Sequence, residues 1–234
     1  MSKGFAIAID GPVGVGKSTI ARKVSENLGI TYVDTGAMYR AVALYNIQNG
    51  NDLTNAEEIR LSLDNINISL SIIEGQQKVY LNGLDITEDI RTQEVSQGAS
   101  IVASFEFVRE KLVKEQQEMA KSKDVVMDGR DIGSNVLPWA QVKIYLDADL
   151  DIRTHRRMLD LQAKNQTVDF DEIRKDTISR DERDINRKNN PLICTEDAIR
   201  IDTGLMSINE VSDTIVDLAR EGFTLTLPQG DKSP

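Results

Sequence analysis

Residues 11 to 19 read Gly-Pro-Val-Gly-Val-Gly-Lys-Ser-Thr and follow an apolar run at 5–10. Gly11, Gly16, Lys17 and Ser18 match the spacing G-x-x-x-x-G-K-[ST], and Gly14 adds a third glycine. Glycines let a loop turn its N–H groups inward without Cβ clashes, which builds an anion-holding nest. A helix starting at Lys17 would present its positive end to the same anion. Lys17 suits the β- and γ-phosphates of a nucleoside triphosphate, and the Ser18 hydroxyl suits Mg²⁺. The expected nucleotide-binding stretch is Gly11, Pro12, Val13, Gly14, Val15, Gly16, Lys17, Ser18 and Thr19.

Two further stretches carry chemistry. Residues 127–133, Met-Asp-Gly-Arg-Asp-Ile-Gly, end an apolar run. Ligands of open α/β sheets bind beyond the carboxyl ends of strands, so Asp128, Arg130 and Asp131 should face a site. Asp128 could hold a magnesium-bound water. In 33–41, Thr35 and Arg40 could form an acceptor's phosphate pocket, although Asp-Thr-Gly is also an ordinary turn and helix start. Seven of the 15 arginines lie between 153 and 187. Arg153, Arg156 and Arg157 share one helical face, as do Arg180, Arg183, Asp184 and Arg187. Interspersed acids would suit a salt-bridged surface, but beside a phosphate loop arginine's planar fork suits a migrating phosphoryl group.

These groups need elements to hold them. The runs at 5–10, 31–34, 124–128, 142–148 and 198–202 read as buried strands. Helical spacing fills 17–28, with Gly29 placed as a cap, and also 37–47, 150–164, 170–188 and 207–222. One long helix is expected over 92–121. Capping-box patterns open 54–64 and the last helix. Alternation over 65–90 reads as strand, turn, strand in a small inserted sheet. Strands alternating with helices give an α/β fold, a three-layer sandwich around a parallel five-stranded sheet.

The chain has 234 residues, 40% of them hydrophobic, enough for a substantial core. A net charge of −10 argues against nucleic-acid or anionic-membrane partners. One cysteine, Cys194, and one histidine, His155, offer no disulfide and no zinc set. His155, Cys194 and Trp139 read as ordinary structural residues. No signal peptide or membrane-length apolar run is present, so a cytoplasmic monomer is expected. The tail at 226–234 is expected to fray. Among phosphate-loop proteins, GTPases usually carry D-x-x-G and N-K-x-D, and neither occurs here. A small-molecule phosphotransferase is left. Two other readings are open to the residues alone: a kinase for another acceptor such as UMP, and a non-catalytic nucleotide-binding regulator.

Together these motifs resemble the bacterial cytidylate kinases over nearly the whole length. The matching stretches run from IAIDGPVGVGKST through DTGAMYRAVAL, DIRTQEVSQGASIVASFEFVRE, DGRDIG, VKIYLDAD and HRRMLDLQ to RDERDINR. The family usually shows Asp-Ser-Gly where this chain has Asp-Thr-Gly at 34–36. The resemblance implies ATP-dependent phosphorylation of CMP or dCMP with Mg²⁺. It implies that Ser100, Arg109 and Asp131 read cytosine, that Arg180 and Asp184 hold the sugar, and that Arg40 and Arg130 meet the acceptor phosphate, with Thr35 and Gly129 also in the CMP-binding set. It assigns Arg187 to the phosphates as well. Arg156 would act from a mobile helical lid, with Arg153 or Arg157 helping. Lys17, Arg130, Arg156 and Arg187 are thus the expected catalytic set. The implied division is a core at about 1–36, 104–150 and 190–225, an acceptor region with the insert at about 37–103, and a lid at about 151–188.

Overall fold

The computed structural model describes residues 4–73, 76–121, 123–163 and 168–226. The expected frayed tail lies outside the described residues except for Thr226, the last residue of a helix. Five parallel strands form the main sheet: β1 (Ala6–Asp10), β2 (Thr31–Asp34), β6 (Val125–Gly129), β7 (Val142–Asp147) and β8 (Ile199–Asp202). Their order is β2-β6-β1-β7-β8. The register pairs Asp10 with Gly129 and with Tyr145, and Asp34 with Asp128, so the carboxyl ends of the strands lie side by side.

Alternation along β1 builds the layers. Ile7 and Ile9 face α1 (Lys17–Leu28) and α8 (Ile208–Thr226), packing with Ile20, Val24 and Ile215. Ala6 and Ala8 face the other way, towards Ile132, Leu137 and Ala120 of α5 (Glu106–Ala120). The small residues leave room on that side for the chain after β6, which folds as a single π-helical turn at Ile132–Val136.

Beyond β2 a second core joins α2 (Thr35–Gln48), α3 (Ala56–Ser62), the inserted sheet, α4 (Gln93–Val102) and α5. The insert has three antiparallel strands, β3 (Ile68–Ile73), β4 (Gln76–Leu81) and β5 (Leu84–Asp85), in sequential order. An Asn82-Gly83 turn with positive φ at both residues joins the last two. The remaining helices, α6 (Leu150–Gln162) and α7 (Phe170–Asn186), pack on each other as an arm over the strand ends.

Several local expectations are corrected. The single helix over 92–121 is two, α4 and α5, separated at 103–105. No glycine or proline marks that break. Phe105 has extended backbone and stacks its ring on Phe107, so packing rather than a local breaker turns the chain. The helix over 54–64 is shorter and is capped by Asn55, not Thr54. The Asn55 side chain accepts from the N–H groups of Glu57 and Glu58 at 3.1 and 3.4 Å, while the Thr54 hydroxyl turns to Asp52. At α8 the expected box is present: Glu210 N–H donates to Ser207 Oγ and Ser207 N–H to the Glu210 carboxylate.

Leu112 is fully buried on α5 within the second core. Leu112→Ala should destabilise the fold by about 2–5 kcal/mol, read as a lower urea midpoint with an unchanged slope. An unchanged midpoint would mean that α5 is not anchored by this face.

Candidate functional site: a phosphate cleft at the strand ends

The loop between β1 and α1 turns on its glycines. Gly11 has φ 149° and lies so close to β7 that a Cβ would sit 2.2 Å from the Leu146 carbonyl oxygen. Gly14 has φ 76°, and its Cβ would meet the Arg153 carbonyl oxygen at 2.8 Å. Helix α1 begins after Gly16 with no side-chain cap, which leaves its first N–H groups for a ligand. Lys17 curls back over the loop, its Nζ donating to the carbonyls of Gly11 (2.8 Å) and Pro12 (2.6 Å). Burial, and then the nearby Arg130, hold the Lys17 ammonium well below its ordinary pKa. A buried cation of this kind gains from an anion that enters the site.

Asp128, next to the last residue of β6, ties three elements together. Its carboxylate accepts from Ser18 Oγ at 2.8 Å and from Tyr32 Oη at 2.9 Å. Its backbone carbonyl accepts from Thr35 Oγ1 at 2.7 Å. Burial, with the charge of Asp34, pushes Asp128 up to about 6. Asp10 is likewise pushed up to about 6 by burial, although the N–H groups of Ile132 (2.8 Å) and Gly133 (2.7 Å) donate to it. Those two bonds fasten the chain after β6 to the end of β1.

The other end of the cleft is a network of fixed charges. Arg109 and Asp131 form a buried pair. Arg187 Nη2 donates to the other Asp131 oxygen at 3.2 Å, and Asn135 Nδ2 adds a third bond at 3.1 Å. Arg130 Nε donates to Asp184 at 2.7 Å. Burial pushes Asp184 up, but Arg130 and Arg187 outweigh it and hold the carboxyl below its usual range. Arg180 is buried with Nε and Nη1 lacking partners. Burial, then Arg157 and Arg130, push it down to about 9, so it stays charged at neutral pH. Ser100 Oγ is also buried without a partner.

Lys17, Ser18, Thr35, Arg40, Ser100, Arg109, Asp128, Gly129, Arg130, Asp131, Arg180, Asp184 and Arg187 all line one cleft of about 520 Å³. Within the loop, Val13, Gly14, Gly16 and Thr19 line it too. Thr35 spends its hydroxyl on the strand end, and Arg40 pairs with Asp34, the N-cap of α2, at 2.7 Å. Arg156 departs from expectation. Its guanidinium donates to Thr203 Oγ1 and the Thr203 carbonyl at 2.9 and 2.7 Å, away from the cleft lining. The next residue, Arg157, faces the cleft instead and pairs with Asp176 at 3.0 Å. Neighbouring positions on a helix point about 100° apart, and the arginine spacing alone did not fix the phase. Arg153 is a strut to the carbonyls of Ala148 and Val13. Sequence reasoning passed over Tyr39 and Gln116 in the lining. The signal for Gln116 was its place seven residues after Arg109, on the same helix face.

The cytidylate kinase family model matches residues 7–221. The cytidylate kinase of Shouchella clausii is 46% identical over 94% of this chain and 98% of its own. That of Caldicellulosiruptor bescii is 45% identical over 92% and 96%, and that of Bacillus subtilis 43% over 94% and 99%. The chain belongs to the cytidylate kinase family.

As in any kinase of this family, charge on the transferring group must be met by cations. Among the described residues no cluster of three or more His, Cys, Asp or Glu could hold a metal by itself. The Ser18 hydroxyl and Asp128 carboxylate, 2.8 Å apart, are hard oxygen donors of the kind Mg²⁺ takes in small number alongside phosphate and water. Also among the described residues, no helix is long and apolar enough to cross a membrane.

A pH dependence follows from Asp128. Its folded pKa lies above the unfolded 3.8, so its contribution to stability is present below about pH 4 and is lost as pH rises through about 6. Asp128→Asn does not titrate. In nucleotide-free protein, the variant's stability relative to the parent should therefore rise by roughly 2 kcal/mol between pH 4 and 7. Parallel curves in urea titrations across this range would contradict the raised pKa.

Proposed function

We propose that this chain transfers the γ-phosphoryl group of ATP to CMP or dCMP. The observation that carries the reading is that one cleft holds both a phosphate loop with Lys17 after β1 and the buried Arg109–Asp131 pair beyond the end of the neighbouring strand β6. A nucleotide switch has no use for a second, hydrogen-bonding pocket of that kind.

In this reading the loop at 11–19 cradles the β- and γ-phosphates, and Lys17 bridges them. Mg²⁺, when bound, would neutralise charge on the phosphate oxygens, with Ser18 as a direct ligand and Asp128 acting through water. Arg40 and Arg130 grip the acceptor phosphate, and Arg180 and Asp184 the sugar. Arg187 meets the phosphates from the far end of α7. Arg157, rather than Arg156, is the arm's contribution. An oxygen of the acceptor phosphate attacks the γ-phosphorus in line, and the bond to the bridging oxygen of ADP breaks. A dianionic acceptor needs no base. Positioning and charge supply the rate, and closing of the arm at about 151–188 and the region at about 37–103 over the core excludes water.

Asp131 reads the base because cytosine offers an N4 amino group, which a carboxylate accepts. Uracil offers O4, which the same carboxylate repels. Arg109, Arg187 and Asn135 hold Asp131 so that it cannot turn away. Ser100, left without a partner, suits an acceptor atom on the ring.

ADP release from ATP with a panel of acceptors tests this. CMP and dCMP should stimulate strongly, UMP at least about tenfold less, and purine monophosphates not at all. Asp131→Asn should lower kcat/KM for CMP by roughly 10- to 100-fold and narrow the CMP-to-UMP ratio. Equal, slow release with every acceptor would remove the acceptor assignment and leave only the phosphate loop.

A further inference from the structure

Val13 at the tip of the phosphate loop is gripped on both sides by the arm. Its N–H donates to Asp181 Oδ1 of α7 at 3.0 Å. Its carbonyl accepts from Arg153 Nη1 of α6 at 3.0 Å. The same Nη1 donates to Asp181 Oδ2 at 2.5 Å, and Arg153 Nε is satisfied by the Ala148 carbonyl. Both residues are 8% exposed, and neither lines the cleft. Gly14 makes the contact feasible, since a side chain there would strike the Arg153 backbone.

A buried ion pair is a poor device for stability alone, because an apolar pair of similar volume does as well or better. What this pair does that an apolar one cannot is hold the peptide groups flanking Val13 in one orientation. Asp181 also sits within two turns of three charged groups along α7. Arg180 is adjacent, Asp184 is three residues on, and Arg187 follows at the helix end. A shift of α7 that seats an acceptor therefore moves the tether on the loop.

We propose that Arg153 and Asp181 are positioning residues that couple acceptor binding to the shape of the phosphate loop, so that each nucleotide strengthens the binding of the other. This rests on the acceptor reading above. Coupling is reciprocal: whatever factor ATP contributes to CMP affinity, CMP contributes to ATP affinity.

The test is calorimetric titration of CMP with and without Mg²⁺ and a non-hydrolysable ATP analogue, in the parent, Asp181→Asn and Arg153→Lys. The analogue should tighten CMP by about 5- to 30-fold in the parent. In both variants that ratio should fall to within about twofold, with CMP affinity alone changing less than about threefold. A purely structural role would lower melting temperature and weaken both titrations together while leaving the ratio intact, and that result overturns the coupling. A ratio near one in the parent also overturns it. No CMP binding by the parent in either condition would overturn the acceptor reading as well, which separates the two failures. Hydrogen exchange on the parent needs no variant: CMP alone should slow exchange at the Val13 and Gly14 amides, and unchanged exchange there counts against the proposal.

Discussion

The carboxylate of Asp128 is the joint on which the cleft depends. One residue of β6 holds the first turn of α1 through Ser18 and the neighbouring strand through Tyr32, and its carbonyl holds the start of α2 through Thr35. Burial makes that charge costly, and the pKa raised to about 6 expresses the cost. A carboxylate kept under such terms is poised for a stronger partner. A cation arriving between Ser18 and Asp128 would relieve it without disturbing the sheet, because α1 and β6 fix where the two oxygens sit.

The same economy governs the end of the cleft around Arg109 and Asp131. Its arginines outnumber the acids that answer them, and Arg180 is left with unpaired donors in a buried place. In a chain of net charge −10, this local excess of cations is concentrated where the strand ends and the arm converge. Elsewhere on the arm an arginine is answered by an acid at the surface: Arg174 pairs with Asp151. The arm thus contains both a solvated surface, as ordinary salt-bridged helices do, and a row of arginines, Arg157, Arg180 and Arg187, that lines the cleft.

Much of this was legible in the sequence, and the reasons differ by element. The strands of the main sheet are short apolar runs, so composition reveals them: β1 and β6 are buried on both faces, whereas β8, read as a buried strand, is an edge strand in which only Ile201 is buried. The phosphate loop is legible because only glycine tolerates its dihedrals and close approaches. The break between α4 and α5 was not legible, because ring packing of Phe105 causes it and no local breaker announces it. Strand β5, at two residues, is too short to show a period. The phase of α6 was ambiguous for a different reason. Three arginines at 153, 156 and 157 fit one face, yet each found a different partner: Val13, Thr203 and Asp176. Helical spacing says which residues are neighbours but not which way the helix is turned.

The strand order has a consequence for how the chain is made. β1 lies at the centre of the sheet, and its partners β6 and β7 begin at Val125 and Val142. At synthesis rates of roughly 5–20 residues per second, the first strand emerges on the order of ten seconds before anything it can pair with. During that interval an apolar segment and the phosphate loop behind it have no sheet to join. The region between them, α2 to α5 with the inserted sheet, has its own core, so it can assemble while β1 waits. The nucleotide loop, first in the sequence, is then among the last parts of the molecule to acquire its shape.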